Sequence, residues 1–289
     1  MDRVLCVGVD GSDPSLRALD WAVDEAVARG VRLTVLHASR WEQYESHEPS
    51  FGLQRSSAQV LAENIAGSAL TRAERRNYAL KANSELKVDD PATALIEASR
   101  EAWAVVLGNR GRGELAGLLL GSVSLAVAAR AVSPVIVVRG EEANRRRGFD
   151  RIVVGIDEPE KSRAALEFAM REAEAHGAAL TVVHAWRCPA RENPDHPDHR
   201  DDTRQHERRA DELLATALRL GDGADRVADI QRQAVEGHAR PALLDAALTA
   251  DLLVVGARRR TGSLGMQLGP VNHAVLHHAA CPVAVVPHE

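Results

Sequence analysis

Residues 108–124 read GNRGRGELAGLLLGSVS. Two residues separate Gly108 from Gly111, nine more lead to Gly121, and Ser122 and Ser124 follow at once. A short apolar run, AVVL at 104–107, comes before this stretch, and LAVAA at 125–129 comes after it. The order is strand, glycine-bearing loop, helix start. In an alternating α/β chain that order marks the carboxyl end of a buried parallel strand.

The same order suits an anion. Glycine lets the backbone turn left-handed and brings amide N–H groups close to a ligand. The first turn of a helix has unpaired N–H groups and a partial positive charge. Ser122 and Ser124 would add hydroxyl donors, and Arg110 and Arg112 would add charge that reaches phosphate oxygens. The bland alternative is an ordinary loop with Ser122 as a plain N-cap.

Working outward, residues 4–9 (VLCVGV) form an apolar run that ends at Asp10, Gly11 and Ser12, and predict a first strand. Leu16, Leu19, Val23, Ala26 and Val27 recur at helical spacing, so 14–29 predicts a helix closed by Gly30. Residues 31–38 predict a second strand. A polar loop with Trp41, Tyr44 and Pro49 follows, then a helix over about 53–78, a third strand over 82–88 and a helix over 91–101. After the glycine stretch and its helix, Pro134 leads into a last strand, 135–138. Residues 139–150 are charged and read as a linker. This alternation calls for a parallel sheet covered on both faces.

The pattern then restarts. At an offset of 147 residues Gly8 meets Gly155, Asp10 meets Asp157, and Gly30 meets Gly177; Thr34, His37 and Ala38 meet Thr181, His184 and Ala185. Later the offset is 148: Gly108 meets Gly256, Gly121 meets Gly269, and Pro134 meets Pro282. The repeated unit is a whole domain, too long for a solenoid repeat. The expected domains are 1–140 and 148–289.

The glycine spacing, its strand and helix, and the duplication together resemble the nucleotide-binding branch of the universal stress protein family, in tandem form. The resemblance covers nearly all of the chain. It implies two doubly wound domains, each with a five-stranded parallel sheet of order 3-2-1-4-5. Ligands of such sheets bind at the carboxyl ends of strands where the order reverses, which would make Asp10 and the glycine loop neighbours. By resemblance, Gly8, Val9, Asp10, Ala38, Leu107, Gly108, Arg110, Gly111, Gly121, Ser122, Val123 and Ser124 would line an ATP site, with Mg as an optional companion. Asp10 would face ribose or phosphates, unless it is only a turn or N-cap residue.

The second half departs from the motif. Gly256 and Gly269 remain, but Arg259 stands at the middle glycine and Pro270 at the hydroxyl position. Pro270 offers neither N–H nor hydroxyl. Asn272 stands where Ser124 does, and Glu158 and Pro159 replace Gly11 and Ser12. The second half is expected to hold ATP weakly or not at all, through Asp157, Ala185, Gly256, Arg258, Gly269 and Asn272. In the first half, Val88, Asp89, Asp90 and Pro91 stand where the second has Glu236, Gly237 and His238, which leaves base selectivity open.

Composition narrows the function. The chain has 289 residues, 45% hydrophobic and 27% charged, with a net charge of -5. That balance fits a globular protein without the basic stripe of a nucleic-acid binder. Cys6, Cys188 and Cys281 are too scattered for a disulfide framework or zinc site, so a reducing cytoplasm is expected. No secretory leader or membrane span is expected. The loop over 195–201 has metal-ligand residue types but reads as solvated. His37 and His184 read as satisfied core histidines and Trp103 as packing; His277 and His278 sit late in a helix, one toward solvent and one packed.

Gly-Lys-Ser/Thr, Gly-x-Gly-x-x-Gly and Gly-x-Ser-x-Gly motifs are missing at the relevant strand ends. Glu114 is the only carboxylate within the glycine loop. The favoured reading is an ATP-binding stress regulator; a slow ATPase or adenine-nucleotide hydrolase and a nucleotide-free scaffold are the alternatives. The apolar last strands, 135–138 and 283–286, are expected to pair the two domains as a pseudo-dimer, with a homodimer as a further option.

Overall fold

The computed structural model describes residues 4–40, 57–111, 120–140, 150–187, 199–258 and 268–288. The chain separates into two compact units, Met1–Val138 and Arg139–Glu289.

The first unit runs β1 (Val4–Gly8), α1 (Asp13–Arg29), β2 (Arg32–Ala38), α2 (Ser57–Arg76), β3 (Ala82–Lys87), α3 (Pro91–Ala98), β4 (Ala102–Gly108), α4 (Ser122–Arg130) and β5 (Val135–Val138). Its strands are all parallel. β1 pairs with both β2 and β4, β2 carries β3 outward, and β4 carries β5, so the order is β3-β2-β1-β4-β5. Right-handed crossovers put α1 and α2, which connect leftward, on one face. They put α3 and α4, which connect rightward, on the other. Consistent with this, α1 packs on α2 and α3 on α4. The chain leaves β1 and β4 toward opposite faces, which opens a crevice at their carboxyl ends.

Local chemistry sets these boundaries. Ser12 caps α1 by accepting from the Ser15 N–H, and Pro14 fits the first turn. Gly30 ends the helix at φ 63°, its N–H reaching the Ala26 and Val27 carbonyls. Leu19 and Val23 of α1 are fully buried against the sheet, each burial contributing about 1.5–3 kcal/mol. α3 ends at Ala98 rather than continuing to residue 101, and the matching helix of the second unit ends at the equivalent Ala246. β1 stops at Gly8 and β3 at Lys87, each one residue short of the sequence expectation.

The second unit repeats the plan with β6 (Arg151–Gly155), α5 (Pro159–His176), β7 (Ala179–Trp186), α6 (His199–Leu220), β8 (Ile230–Glu236), α7 (Ala239–Ala246), β9 (Leu252–Arg258), α8 (Pro270–His278) and β10 (Val283–His288). A short 3-10 turn, Ala224–Arg226, precedes β8. The order is β8-β7-β6-β9-β10, again all parallel. Gly177 closes α5 at φ 64°, as Gly30 closes α1. The residue types at 195–198 lie outside the described residues, and His199 opens α6.

Candidate ligand site in each unit

In the first unit a cavity of about 360 Å³ opens at the carboxyl ends of β1 and β4. All twelve positions named from the sequence, from Gly8 through Ser124, line it. Ser15, Leu36, Pro91, Leu95 and Leu120 line it too. Ser15, Leu36, Leu95 and Leu120 escaped the sequence reading, because a helical or strand pattern marks a face without saying which cavity that face meets; Pro91 belongs to the stretch already linked to base selectivity. Arg112 and Glu114 lie outside the described residues.

The cavity floor is fixed by hydrogen bonds between strand ends. The Val9 N–H donates to the Leu36 carbonyl at 2.9 Å. The His37 ring, 6% exposed, lies with Nδ1 2.7 Å from the Val9 carbonyl. His37 is thus a satisfied core histidine that holds the start of the Asp10 turn. Within that turn, Asp10 Oδ1 accepts from the Ser12 N–H at 2.9 Å and from the Ser12 hydroxyl at 2.6 Å. The Asp10 N–H reaches Ser15 Oγ at 3.3 Å. Asp10 is therefore both a turn residue and a cavity residue.

The three glycines of the motif do different jobs, and none has a positive φ. The expected left-handed turns are not how they act. A Cβ on Gly108 would lie 2.6 Å from the Pro14 backbone, so this glycine lets β4 end against the first turn of α1. A Cβ on Gly111 would lie 2.4 Å from Asp10 Oδ2, so this one makes room for the carboxylate. A Cβ on Gly121 would meet nothing nearer than 3.5 Å, facing the Arg110 and Gly111 backbone. Gly121 is the N-cap of α4 and provides no side-chain cap. Ser122 is therefore the first helical residue and not the cap.

Ser124 corrects the expectation of a free hydroxyl donor. Its Oγ is buried and donates to the Gly108 carbonyl at 2.7 Å, tying the first turn of α4 to the end of β4. With the hydroxyl proton engaged there, what remains at the α4 start is the set of backbone N–H groups of its first turn. They face a cavity rimmed by the exposed Arg110.

In the second unit the corresponding cavity is larger, about 770 Å³. Asp157, Ala185, Gly256, Gly269 and Asn272 line it, together with Glu158, Lys161, Leu243, Pro270 and His288. Arg258 ends β9, its side chain and Arg259 lying outside the described residues. Asn272 Nδ2 donates to the Gly256 carbonyl at 2.9 Å, the same tie that Ser124 makes. His184 Nδ1 lies 2.9 Å from the Ile156 carbonyl, as His37 does from Val9.

The turn differs. Pro159 stands where Ser12 would be, and Asp157 is exposed and without the two bonds that Ser12 gives Asp10. Beside it Glu158 pairs with Lys161 at 2.5 Å.

Two matches to the model of the universal stress protein family cover residues 1–139 and 148–287. The chain belongs to the universal stress protein family. Among its relatives is a universal stress protein of Mycobacterium tuberculosis, 35% identical over 96% of this chain and 95% of that protein. A universal stress protein of Archaeoglobus fulgidus shares the fold, with a TM-score of 0.70 at 20% identity over all of both chains. The duplication read from the sequence is thus matched by two universal stress protein units. Three further side chains of this tandem universal stress protein singled out from the sequence are placed as follows. Trp103 lies under the Arg29 guanidinium, 4.1 Å from ring centroid to carbon, so it packs as expected. His277 stacks on His273 at 4.3 Å between ring centroids, while His278 is exposed.

Proposed function

We propose that the first unit binds ATP and that the protein works as a nucleotide-responsive regulator rather than through rapid turnover. The observation that carries this reading is the start of α4. It has no side-chain cap, it opens into a cavity at the strand-order reversal, and Arg110 stands at the rim. By contrast α3 is closed to an anion, because Asp90 already accepts from the Ala92 and Thr93 N–H groups. Phosphates would lie against the N–H groups of Ser122, Val123 and Ser124 and the Arg110 guanidinium. The base and ribose would occupy the apolar part between Val9, Ala38 and Leu107. Asp10, held by Ser12, would orient ribose or a Mg²⁺ carried in with the phosphates.

A slow hydrolysis at this site is the second reading, favoured only by the Asp10 carboxylate beside the anion slot. In the second unit Pro270 lacks an N–H and Arg259 stands at the middle glycine, so a triphosphate binds there weakly or not at all at the glycine end.

Calorimetric titration of ATP into the full chain tests the proposal. One tight equivalent, weakened by Gly121→Ala and Arg110→Ala, is expected. Unchanged affinity in both variants would sink it. Release of phosphate abolished by Asp10→Asn would move the reading toward the hydrolase.

A further inference from the structure

The two cavities differ in charge at the lip where the residues after the second strand meet the start of the third helix of each unit. In the first unit this lip carries Asp89 and Asp90. Asp90 caps α3 with Oδ1, and its Oδ2 lies 3.6 Å from Arg40 Nη2. In the second unit the matching positions carry Gly237 and His238, Arg187 stands where Arg40 does, and Arg240 replaces Ala92. His238 is the N-cap of α7 and makes no side-chain capping bond. Gly237, at φ 134°, donates its N–H to the Trp186 carbonyl at 2.7 Å and holds this lip in place.

The lip is also hollow. A recess of about 420 Å³ is lined by Arg187, Gly237, His238 and Arg240. It shares Ala185, Ala239, Pro270 and Val271 with the 770 Å³ cavity, so the two adjoin. Beside the α5 start that cavity holds Asp157, Glu158 and Lys161, the last two paired at 2.5 Å. Asp157 therefore leaves one net negative charge at the α5 start, while the α7 start carries Arg187 and Arg240. Between them the walls are apolar: Ile156, Val183, Leu243, Val255 and Leu268.

We propose that the second unit binds a small organic anion, its apolar or aromatic body in the cavity and its anionic group in the recess at Arg187, His238 and Arg240. Arginine suits such a group because its planar fork donates two parallel bonds to a phosphate or carboxylate. Asp157 disfavours a phosphate at the α5 start by like-charge repulsion. The first unit cannot reproduce the arrangement, since Asp90 occupies the capping position that the anion would face.

The test is equilibrium dialysis of AMP, adenosine and inorganic phosphate against the full chain at low salt. The double variant Arg187→Ala/Arg240→Ala is expected to lose one AMP equivalent, weakened about tenfold or more, while ATP bound by the first unit is unchanged. Both side chains are exposed, so the variant keeps its fold, which circular dichroism verifies. Adenosine, and phosphate alone, should bind the second unit more weakly than AMP. An AMP stoichiometry and affinity unchanged by the double variant overturn the proposal. So does binding that is lost only on replacing Arg258, Arg259 and Arg260 by Ala, because the anion then sits at the glycine end. Failure of the ATP reading is separable: it removes the equivalent sensitive to Gly121→Ala and leaves the one sensitive to Arg187 and Arg240.

Discussion

Gly108 and Gly121 belong to one motif, yet replacing each by Ala should give opposite results. At Gly108 the added Cβ would lie 2.6 Å from the carbonyl carbon and oxygen of Pro14 and 2.9 Å from the Ser15 nitrogen. Those are backbone atoms of a capped helix, so no side chain can swing aside. Overpacking of this kind costs about 1–3 kcal/mol. For a unit spanning Met1–Val138, that is a fall in Tm of about 3–10 °C. At Gly121 the nearest atom would be 3.5 Å away, and φ -75° with ψ 151° suits any L residue. Stability should change little, because the gain of about 0.4–1 kcal/mol through the unfolded chain is offset by alanine being a poorer N-cap than glycine. The new methyl would instead stand between the α4 start and the Arg110–Gly111 backbone, where phosphate oxygens are proposed to lie. ATP affinity should fall about tenfold or more, the scale of one lost charge-assisted hydrogen bond. Calorimetric melts with and without ATP, and ATP titrations of both variants, separate the two effects. A Gly108→Ala protein with unchanged Tm, or a Gly121→Ala protein that melts early and binds normally, would refute the division of labour.

Three other outcomes follow from the same geometry. Ser124→Ala leaves the buried Gly108 carbonyl without its partner, so chemical denaturation should show a loss of about 1–3 kcal/mol, with ATP affinity changed only a few-fold; Asn272→Ala should do the same in the second unit. Burial first, then Glu85, pushes the Cys6 thiol up to about 12, and burial first, then Asp251, pushes the Cys281 thiol up to about 12. Neither should be alkylated by iodoacetamide at pH 8.5 in the native protein, and both should be alkylated in denaturant, as mapped by mass spectrometry. Burial, and then the charges of His273, His278 and Arg139, hold the His277 imidazolium below its ordinary 6.5. Between the two values the unfolded chain binds more protons, so this contribution to stability is present above about pH 6.5 and is lost as pH falls below it. Urea midpoints measured from pH 7.5 down to 5 should show this loss, reduced in His277→Gln.

The architecture was legible because its signals are local. Apolar runs such as residues 4–9 and 104–107 mark strands buried on both faces, Gly30 and Gly177 mark helix ends, and a duplicated order of turns marks a duplicated domain. The glycine spacing also located the cavity. What the spacing could not contain is which atoms approach each glycine, since those atoms come from α1, from the Asp10 turn and from the cavity itself. The same holds for Ser124. As a residue type it reads as a donor to a ligand, but the carbonyl it bonds is 16 residues away and meets it only when α4 docks on β4. The recess at Arg187, His238 and Arg240 joins the loop after β7 to the start of α7, and these become one surface only through the parallel order of the sheet. Sequence periodicity encodes burial and turning; contacts between elements distant in the chain arise only when the sheet brings their ends together.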